Sequence, residues 1–399
     1  MINRPDYIAA IEPFIDKPLV KILAGIRRCG KSTIFEMLRE ELLRRGIGED
    51  QIICKRYTEM DIPENITAKQ MYDELTAAMA GKGHCYLLLD EIQEITGWEK
   101  AVNSLLESAD ADIYVTGSNS KLMSSEISTY LTGRYVSIPV YTLSFKEYLD
   151  FKADSTLSRR ELLEEYIRFG GFPIIALSEY DEQSAYQIVN GIYHTVVSRD
   201  IVKRHRINKQ DLFDRVVKYI IENMGKTFSA NSISTFLKSE HRKVSVESIY
   251  NYLRWLEQAF IIYPCERYDL QGKSILKTQE KYYLSDVSLK YALLGYNRKM
   301  LDGVLENIVY LELKRRGYEV FIGKNNTKEI DFVANRRDER VYVQVCVQLP
   351  ENSDREVGNL MEIKDHYPKY VVTLNEMDTG IENGIRIVHL ADFLLSEQL

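Results

Sequence analysis

Apolar residues fall along this chain in two alternating rhythms. Short, nearly unbroken apolar runs occur at Leu19–Ala24, Gln51–Tyr57, Cys85–Leu89, Asp112–Val115 and Tyr135–Val140, the pattern of strands covered on both faces of a parallel sheet. Between them, apolar positions recur every three or four residues, at Thr33–Glu40, at Thr67–Met79 and in a stretch carrying Trp98, Val102 and Leu105. Residues 1–16 read as a short amphipathic helix with Tyr7, Ile8, Ile11 and Phe14 on one side. This alternation predicts a doubly wound α/β fold, with any chemistry at the carboxyl ends of the strands.

Beyond residue 143 the rhythm changes. Helical spacing runs over Ser144–Phe151, Arg159–Phe169 and Glu182–Val202, broken by the turn Gly170-Gly171-Phe172-Pro173. Two more helices follow, Ser232–Lys238 and Ser245–Phe260, the second with Ser245 as its cap and Ile249, Tyr252, Leu253 and Leu256 as its apolar stripe. Strand-like runs at 260–263 and 281–284 flank a polar segment, 267–273. That order predicts a winged helix, with Arg242, Lys243, Arg254, Lys273 and Lys277 as phosphate contacts, although winged helices also serve as plain protein-interaction modules. The last third reads helix (305–313), strand (320–323), strand (329–333), strand (341–346). The expected division is 1–143, 144–204, 205–284 and 285–399.

Composition narrows the setting. Of 399 residues, 45% are hydrophobic and 28% charged, as in an ordinary globular protein. No run approaches the roughly 18 apolar residues of a membrane span, and the first residues carry acids and a proline where a secretory core would lie, so the expectation is a cytoplasmic protein with no membrane partner. Five scattered cysteines without a C-x-x-C pair support neither a disulfide framework nor a zinc site. The net charge is −7, yet residues 203–281 hold 15 Lys+Arg against 9 Asp+Glu. Such asymmetry points to an anionic partner for the middle segment.

The sharpest chemical signal is Gly25-Ile26-Arg27-Arg28-Cys29-Gly30-Lys31-Ser32. It matches G-x-x-x-x-G-K-[ST], the P-loop, and it stands where that motif must stand, between an apolar strand and a helix. Gly25 and Gly30 let backbone N–H groups close on phosphate oxygens, and the positive end of the following helix favours the anion. Lys31 reaches the β- and γ-phosphates and the Ser32 hydroxyl completes a Mg²⁺ shell. Arg28, Cys29 and Thr33 are the remaining loop positions assigned to the nucleotide, with Cys29 read either as a redox handle or as a small loop residue.

About sixty residues on, the strand Cys85–Leu89 ends in Asp90-Glu91. A P-loop enzyme needs such acids opposite its lysine, Asp90 for Mg²⁺ and Glu91 as general base toward water. The bland alternative is a capping aspartate beside a solvated glutamate. The next strand ends Thr116-Gly117-Ser118-Asn119, small polar groups suited either to sensing the γ-phosphate, with Thr116, Ser118 and Asn119 all candidates and Ser118 carried as the site residue, or to capping a helix. Arg134 is a candidate cation for the transferring phosphate, in its own site or a neighbour's, or else a surface salt bridge.

On GIRRCGKST, YLLLDEIQ, Gly97-Trp98, VTGSNS, LTGR, YTLSFKEYL and FGGFP, the chain resembles the AAA-type ATPases. It is closer still to a prokaryotic family in which such an ATPase is joined to a C-terminal domain of unknown function. The resemblance implies an ATPase core over 1–143, a helical lid over 144–204, and binding of ATP with hydrolysis. The C-terminal order of elements is similar to a PD-(D/E)XK nuclease fold, with Glu306 and Asp331 as acids. Gln344 stands where the second metal acid is needed and Cys346 where the lysine is needed, so residues 285–399 read as an inactive nuclease-like domain kept for binding or docking. The expected function is an ATPase whose nucleotide state rearranges DNA- or protein-binding domains, in an oligomer or alone. The alternatives are a nucleotide-gated adaptor with negligible turnover and a metal-dependent nuclease.

Overall fold

The computed structural model describes residues 3–399 apart from 60–62, 64–65, 124, 132, 208, 243, 298–300 and 351–354, together with the side chains at 121, 123, 125–126, 128 and 277–279. Lys243 and the Lys277 side chain, two of the expected phosphate contacts, lie outside the described residues. Two compact units divide the chain: Met1–Thr142 with Gln258–Phe260, and Leu143–Glu257 with Ile261–Leu399.

In the first unit the apolar runs become β1 (Val20–Ala24), β2 (Ile52–Arg56), β3 (Cys85–Asp90), β4 (Ala111–Gly117) and β5 (Tyr135–Pro139), interleaved with α1 (Pro5–Ile11), α2 (Lys31–Arg44), α3 (Ala68–Met79), α4 (Trp98–Ser108) and α5 (Ser125–Tyr130). All five strands are parallel, in the order β2-β3-β4-β1-β5. Every residue of β1 and β3 is buried, which is why these strands read as continuous apolar stretches rather than as alternation. The one charge in β1, Lys21, pairs with the Asp112 carboxylate and donates to Lys17 O at 2.8 Å, so the buried ammonium keeps its partners.

The strand order has a consequence for the site. β4 lies between β1 and β3, with Ala24 level with Gly117 and Leu89 level with Val115. The tip of β4 therefore stands between the loop that follows β1 and the acids that end β3.

The second unit begins with α6 (Phe145–Phe151), α7 (Arg159–Phe169), α8 (Pro173–Ala176) and α9 (Glu182–Val196), the last continuing through a π-wound stretch, Val197–Val202, into α10 (Lys203–His205). Ser144 caps α6, accepting from Glu147 N at 3.1 Å while Glu147 accepts from Ser144 N at 2.8 Å, a reciprocal capping box. The FGGFP turn is a clasp: Gly171 N donates to Asp286 Oδ2 at 2.8 Å and Leu143 N donates to Gly171 O at 2.7 Å. A Cβ at Gly170 would lie 1.8 Å from Asp286 Oδ1, and φ there is +71°, so only glycine fits.

Next come α11 (Gln210–Glu222), α12 (Ala230–Ser239), α13 (Val246–Gln258), β6 (Ile262–Asp269), β7 (Ser274–Leu284), α14 (Ser288–Leu294) and α15 (Leu301–Arg315). The chain ends with β8 (Glu319–Asn325), β9 (Lys328–Arg336), β10 (Glu339–Cys346), α16 (Arg355–Met361), β11 (Lys369–Thr373), β12 (Gly380–Glu382), β13 (Ile385–His389) and α17 (Leu390–Leu395). Ser245 caps α13, accepting from Ser248 N at 3.1 Å. The strands form one sheet, β12-β13-β11-β10-β9-β8-β6-β7. The two strand-like runs expected to flank residues 267–273 form the outer pair of that sheet, because β6 pairs in parallel with β8 from Arg267 opposite Ile322 to Asp269 opposite Lys324. Strand edges carry unpaired backbone groups that β8 here satisfies. The segments expected as lid, winged helix and C-terminal domain lie in the second of the two compact units. Among the described residues no helix is long and apolar enough to cross a membrane.

Candidate nucleotide site

The loop after β1 is built to approach its neighbours closely. A Cβ on Gly25 would lie 2.0 Å from Val140 O and 3.1 Å from Cys29 Sγ, so a side chain there would push the loop off the end of β5. Gly30, with φ of +104°, opens α2. Lys31 is buried, and its Nζ donates to Gly25 O at 3.0 Å and Ile26 O at 3.2 Å. The ammonium thus curls over the loop and rests on carbonyls that a phosphate can replace.

The two acids face this loop from β3. Ser32 Oγ donates to Asp90 Oδ2 at 2.7 Å, and the buried Thr116 hydroxyl donates to Asp90 Oδ1. The same Thr116 oxygen accepts from Glu91 N at 3.0 Å. One side chain at the tip of β4 therefore orients both acids. Glu91 lies 3.5 Å from Lys31 Nζ and accepts from Gln93 Nε2, which also reaches Ser118 Oγ at 3.3 Å. Burial pushes the Glu91 carboxyl up, but the charges of Lys31 and Arg27 and hydrogen bonds from Gln93 and Ser118 outweigh it and hold it below the usual range. Ser32 and Asp90 form an all-oxygen pair, the donor chemistry that a hard divalent cation takes.

Lys31, Ser32, Asp90, Glu91 and Ser118 are brought together, with Gly25 and Gly30 shaping the loop. Thr33 is half-buried on the first turn of α2, and Arg28, with φ of +68°, is exposed on the loop. Cys29 is fully buried and burial pushes its thiol up, which favours the small loop residue over a redox handle. Arg134 is not at the site: it precedes β5 at the amino edge of the sheet, where Val20 N donates to its carbonyl at 3.0 Å. At about 3.3 Å per residue, the length of β1 puts it roughly 16 Å from the loop. There it binds Glu107 Oε1 at 2.7 Å and Asn103 Oδ1 at 3.0 Å, the salt bridge that was its alternative reading.

Three residues of this site escaped the sequence. Arg4, only 1% exposed, donates to Cys29 O at 2.8 Å and to Tyr141 O at 3.0 Å, bracing the loop from behind. Arg56 Nε donates to Asp90 Oδ2 at 3.1 Å. Gln93 completes the set; of the small polar groups named at the end of β4, Thr116 is the one that bonds both to the Asp90 carboxylate and to Glu91 N. Gln93 had a signal in its place two residues after Glu91, whereas Arg4 and Arg56 had none, being distant in sequence from what they touch.

The second unit gathers the other singled-out acids. Lys281 Nζ, from β7, lies 3.2 Å from Glu306 Oε2 and 2.9 Å from Glu329 Oε1, and Tyr283 OH donates to Glu306 at 2.9 Å. Asp331 Oδ2 accepts from Val345 N at 2.8 Å. Gln344 accepts from Asp331 N at 2.6 Å and donates to Glu356 at 2.6 Å. Burial pushes the carboxyls of Glu306 and Asp331 up, against the lowering charge of Lys281. Cys346 is buried and its thiol is pushed up to about 12 by burial. Of the expected surface cations, Arg242 pairs with Asp211, and Arg254 donates to Asn251 Oδ1 at 2.6 Å.

Residues 17–149 match the AAA domain family, and residues 160–299 match a domain of unknown function, DUF8612. An uncharacterized protein of Haemophilus influenzae is 37% identical over 398 residues, covering 99% of both chains. An uncharacterized protein of Methanocaldococcus jannaschii is 34% identical over 354 residues, 85% of this chain and 77% of the relative. Among solved structures, the Walker-type ATPase of Pyrococcus abyssi shares the fold at 15% identity and a TM-score of 0.52, over 73% of this chain and 96% of its own. The chain belongs to one family with its H. influenzae and M. jannaschii relatives, and its first unit carries an AAA-type P-loop ATPase domain.

Proposed function

We propose that the first unit binds ATP with Mg²⁺, hydrolyses it to ADP and phosphate, and uses the change to rearrange a DNA- or protein-binding second unit. The observation that carries this reading is the convergence of Lys31, Ser32, Asp90 and Glu91 at one edge of the sheet, tied together by Thr116. The N–H groups of the loop hold the phosphates, and Lys31 exchanges its two carbonyls for phosphate oxygens. Ser32 and Asp90 would hold Mg²⁺, whose charge would offset that of the phosphates. Glu91 takes a proton from the attacking water, the water oxygen bonds to the γ-phosphorus, and the bond to the ADP oxygen breaks. Its lowered carboxyl keeps it in the base form at neutral pH. Ser118 shares Gln93 with Glu91, which supports its role beside the γ-phosphate. At the amino edge of the sheet, Arg134 has a role only in a neighbour's site within an oligomer.

Phosphate release by wild type, Lys31→Ala and Glu91→Gln tests this directly. Turnover by wild type and its loss in both variants is expected; equal release from all three refutes the assignment. Repeating the assay with and without DNA across a salt series tests the second unit's partner, since phosphate contacts weaken steeply with salt.

A nucleotide-gated adaptor is the second reading, favoured by the engagement of Glu91 with both Lys31 and Gln93. It predicts nucleotide-dependent partner capture with negligible turnover. In the second unit, the pairing of Lys281 with Glu306 and Glu329, and the hydrogen bond from Val345 N to the Asp331 carboxylate, support docking over cleavage. Intact DNA after long incubation with Mg²⁺ is the expected result there.

A further inference from the structure

Asp90 is held from three directions, and one of its partners belongs to neither the loop nor the neighbouring strand tip. Arg56 ends β2 directly opposite Asp90 in the parallel β2–β3 register, and its Nε donates to Oδ2 at 3.1 Å. That is the same oxygen that accepts from Ser32 Oγ. The two groups assigned to Mg²⁺ therefore satisfy each other, and a guanidinium charge lies against the carboxylate a divalent cation would claim. The Asp90 side chain is 6% exposed and that of Arg56 is 42% exposed, so Arg56 reaches in from a cavity of about 220 Å³ lined by Ser32, Glu36, Arg39, Arg56, Glu59 and Asp90 among others. Two further carboxylates flank its outer nitrogens: Glu59 lies 3.7 Å from Nη1 and Glu36 lies 4.0 Å from Nη2.

We propose that Arg56 stands in for the metal's positive charge at Asp90 and sets the Mg²⁺ concentration at which the site grips nucleotide. The carboxylate is paired before the metal arrives, so it is neither left buried and uncompensated nor free to swing onto Lys31. When Mg²⁺ enters, two cations compete for Oδ2, and Arg56 gives way toward Glu59 and Glu36 without losing a counter-charge. Metal entry thus costs the breaking of one partly exposed ion pair, and the pair acts as a threshold. Arg56 is a positioning residue here, acting on the metal through Asp90. The inference rests on residues 25–32 and Asp90 being a Mg²⁺-nucleotide site.

The test uses the full chain and a fluorescent ADP analogue, titrated with Mg²⁺ from a chelator-treated start, and reads binding rather than turnover. In Arg56→Gln the half-saturating Mg²⁺ should fall at least about threefold, the scale of a partly exposed ion pair. Arg56→Lys, which keeps the charge, should stay near wild type. Glu59→Gln combined with Glu36→Gln removes the receiving carboxylates and should raise the midpoint. An unchanged or raised midpoint in Arg56→Gln overturns the proposal, because Arg56 would then be inert or an aid to metal binding. Wild type that fails to bind the analogue at saturating Mg²⁺ would overturn the nucleotide site itself, a distinct result from wild type that binds with a midpoint Arg56 does not move.

Discussion

Replacing Thr116 by valine isolates one hydroxyl on which the site's geometry depends. The side chain is fully buried, and its oxygen donates to Asp90 Oδ1 and accepts from Glu91 N at 3.0 Å. Valine keeps the shape but removes both bonds, leaving a buried carboxylate oxygen short of a donor and an N–H without its acceptor. A bond to a charged group is worth about 1.5–3 kcal/mol and a stranded N–H costs about 1–3 kcal/mol. Glu91 is half-buried, so water relieves part of the second cost, and the expected loss is about 2–4 kcal/mol. Thr116→Ser keeps the hydroxyl and deletes one methyl, for about 1 kcal/mol. The order of stability should be wild type, serine, valine. Trp98, buried in α4, and Trp255 are the two tryptophans, so urea unfolding in a Trp255→Phe background reports on the first unit. Valine unfolding within about 0.5 kcal/mol of wild type, or no worse than serine, would refute the reasoning.

Other changes have equally direct readouts. Gly25→Ala forces a Cβ to 2.0 Å from Val140 O, and the displaced loop should bind the fluorescent nucleotide at least about tenfold more weakly, a loss of about 1.4 kcal/mol; unaltered affinity would contradict the close approach. Lys281→Met strands the buried Glu306, and should destabilise the second unit by about 3–5 kcal/mol in Trp255-monitored unfolding, with Glu306→Gln in the same chain restoring part of it. Burial holds Glu306 and Asp331 above their usual range, so the native state keeps protons that the unfolded chain releases. Their stabilisation is full below about pH 4 and is lost as pH rises through the raised values. Unfolding at about pH 5 and about pH 8 should show a smaller fall in Asp331→Asn than in wild type, and identical falls would place the pH dependence elsewhere.

The amino-acid sequence by itself determined what is local. Eight consecutive residues, 25–32, carry the phosphate loop; a strand run into Asp90-Glu91 supplies the acids; and five apolar stretches predict five covered parallel strands. Each is written in contiguous residues, so the local spacing of residue types is enough to name the element. Only the tertiary structure decided what depends on strands and helices meeting across the chain. The order β2-β3-β4-β1-β5 puts Thr116 between the loop and the acids, sends Arg134 to the far edge of the sheet, and sets Arg56 against Asp90. Arg4 braces a loop 25 residues away, and the 262–284 hairpin joins a sheet whose other strands lie after residue 318. Lys281 on β7 meets Glu306 on α15 and Glu329 on β9, partners 25 and 48 residues further along the chain. Pairing partners are chosen by burial and by backbone groups that must be satisfied, and those choices are made in space, where distance along the chain no longer matters.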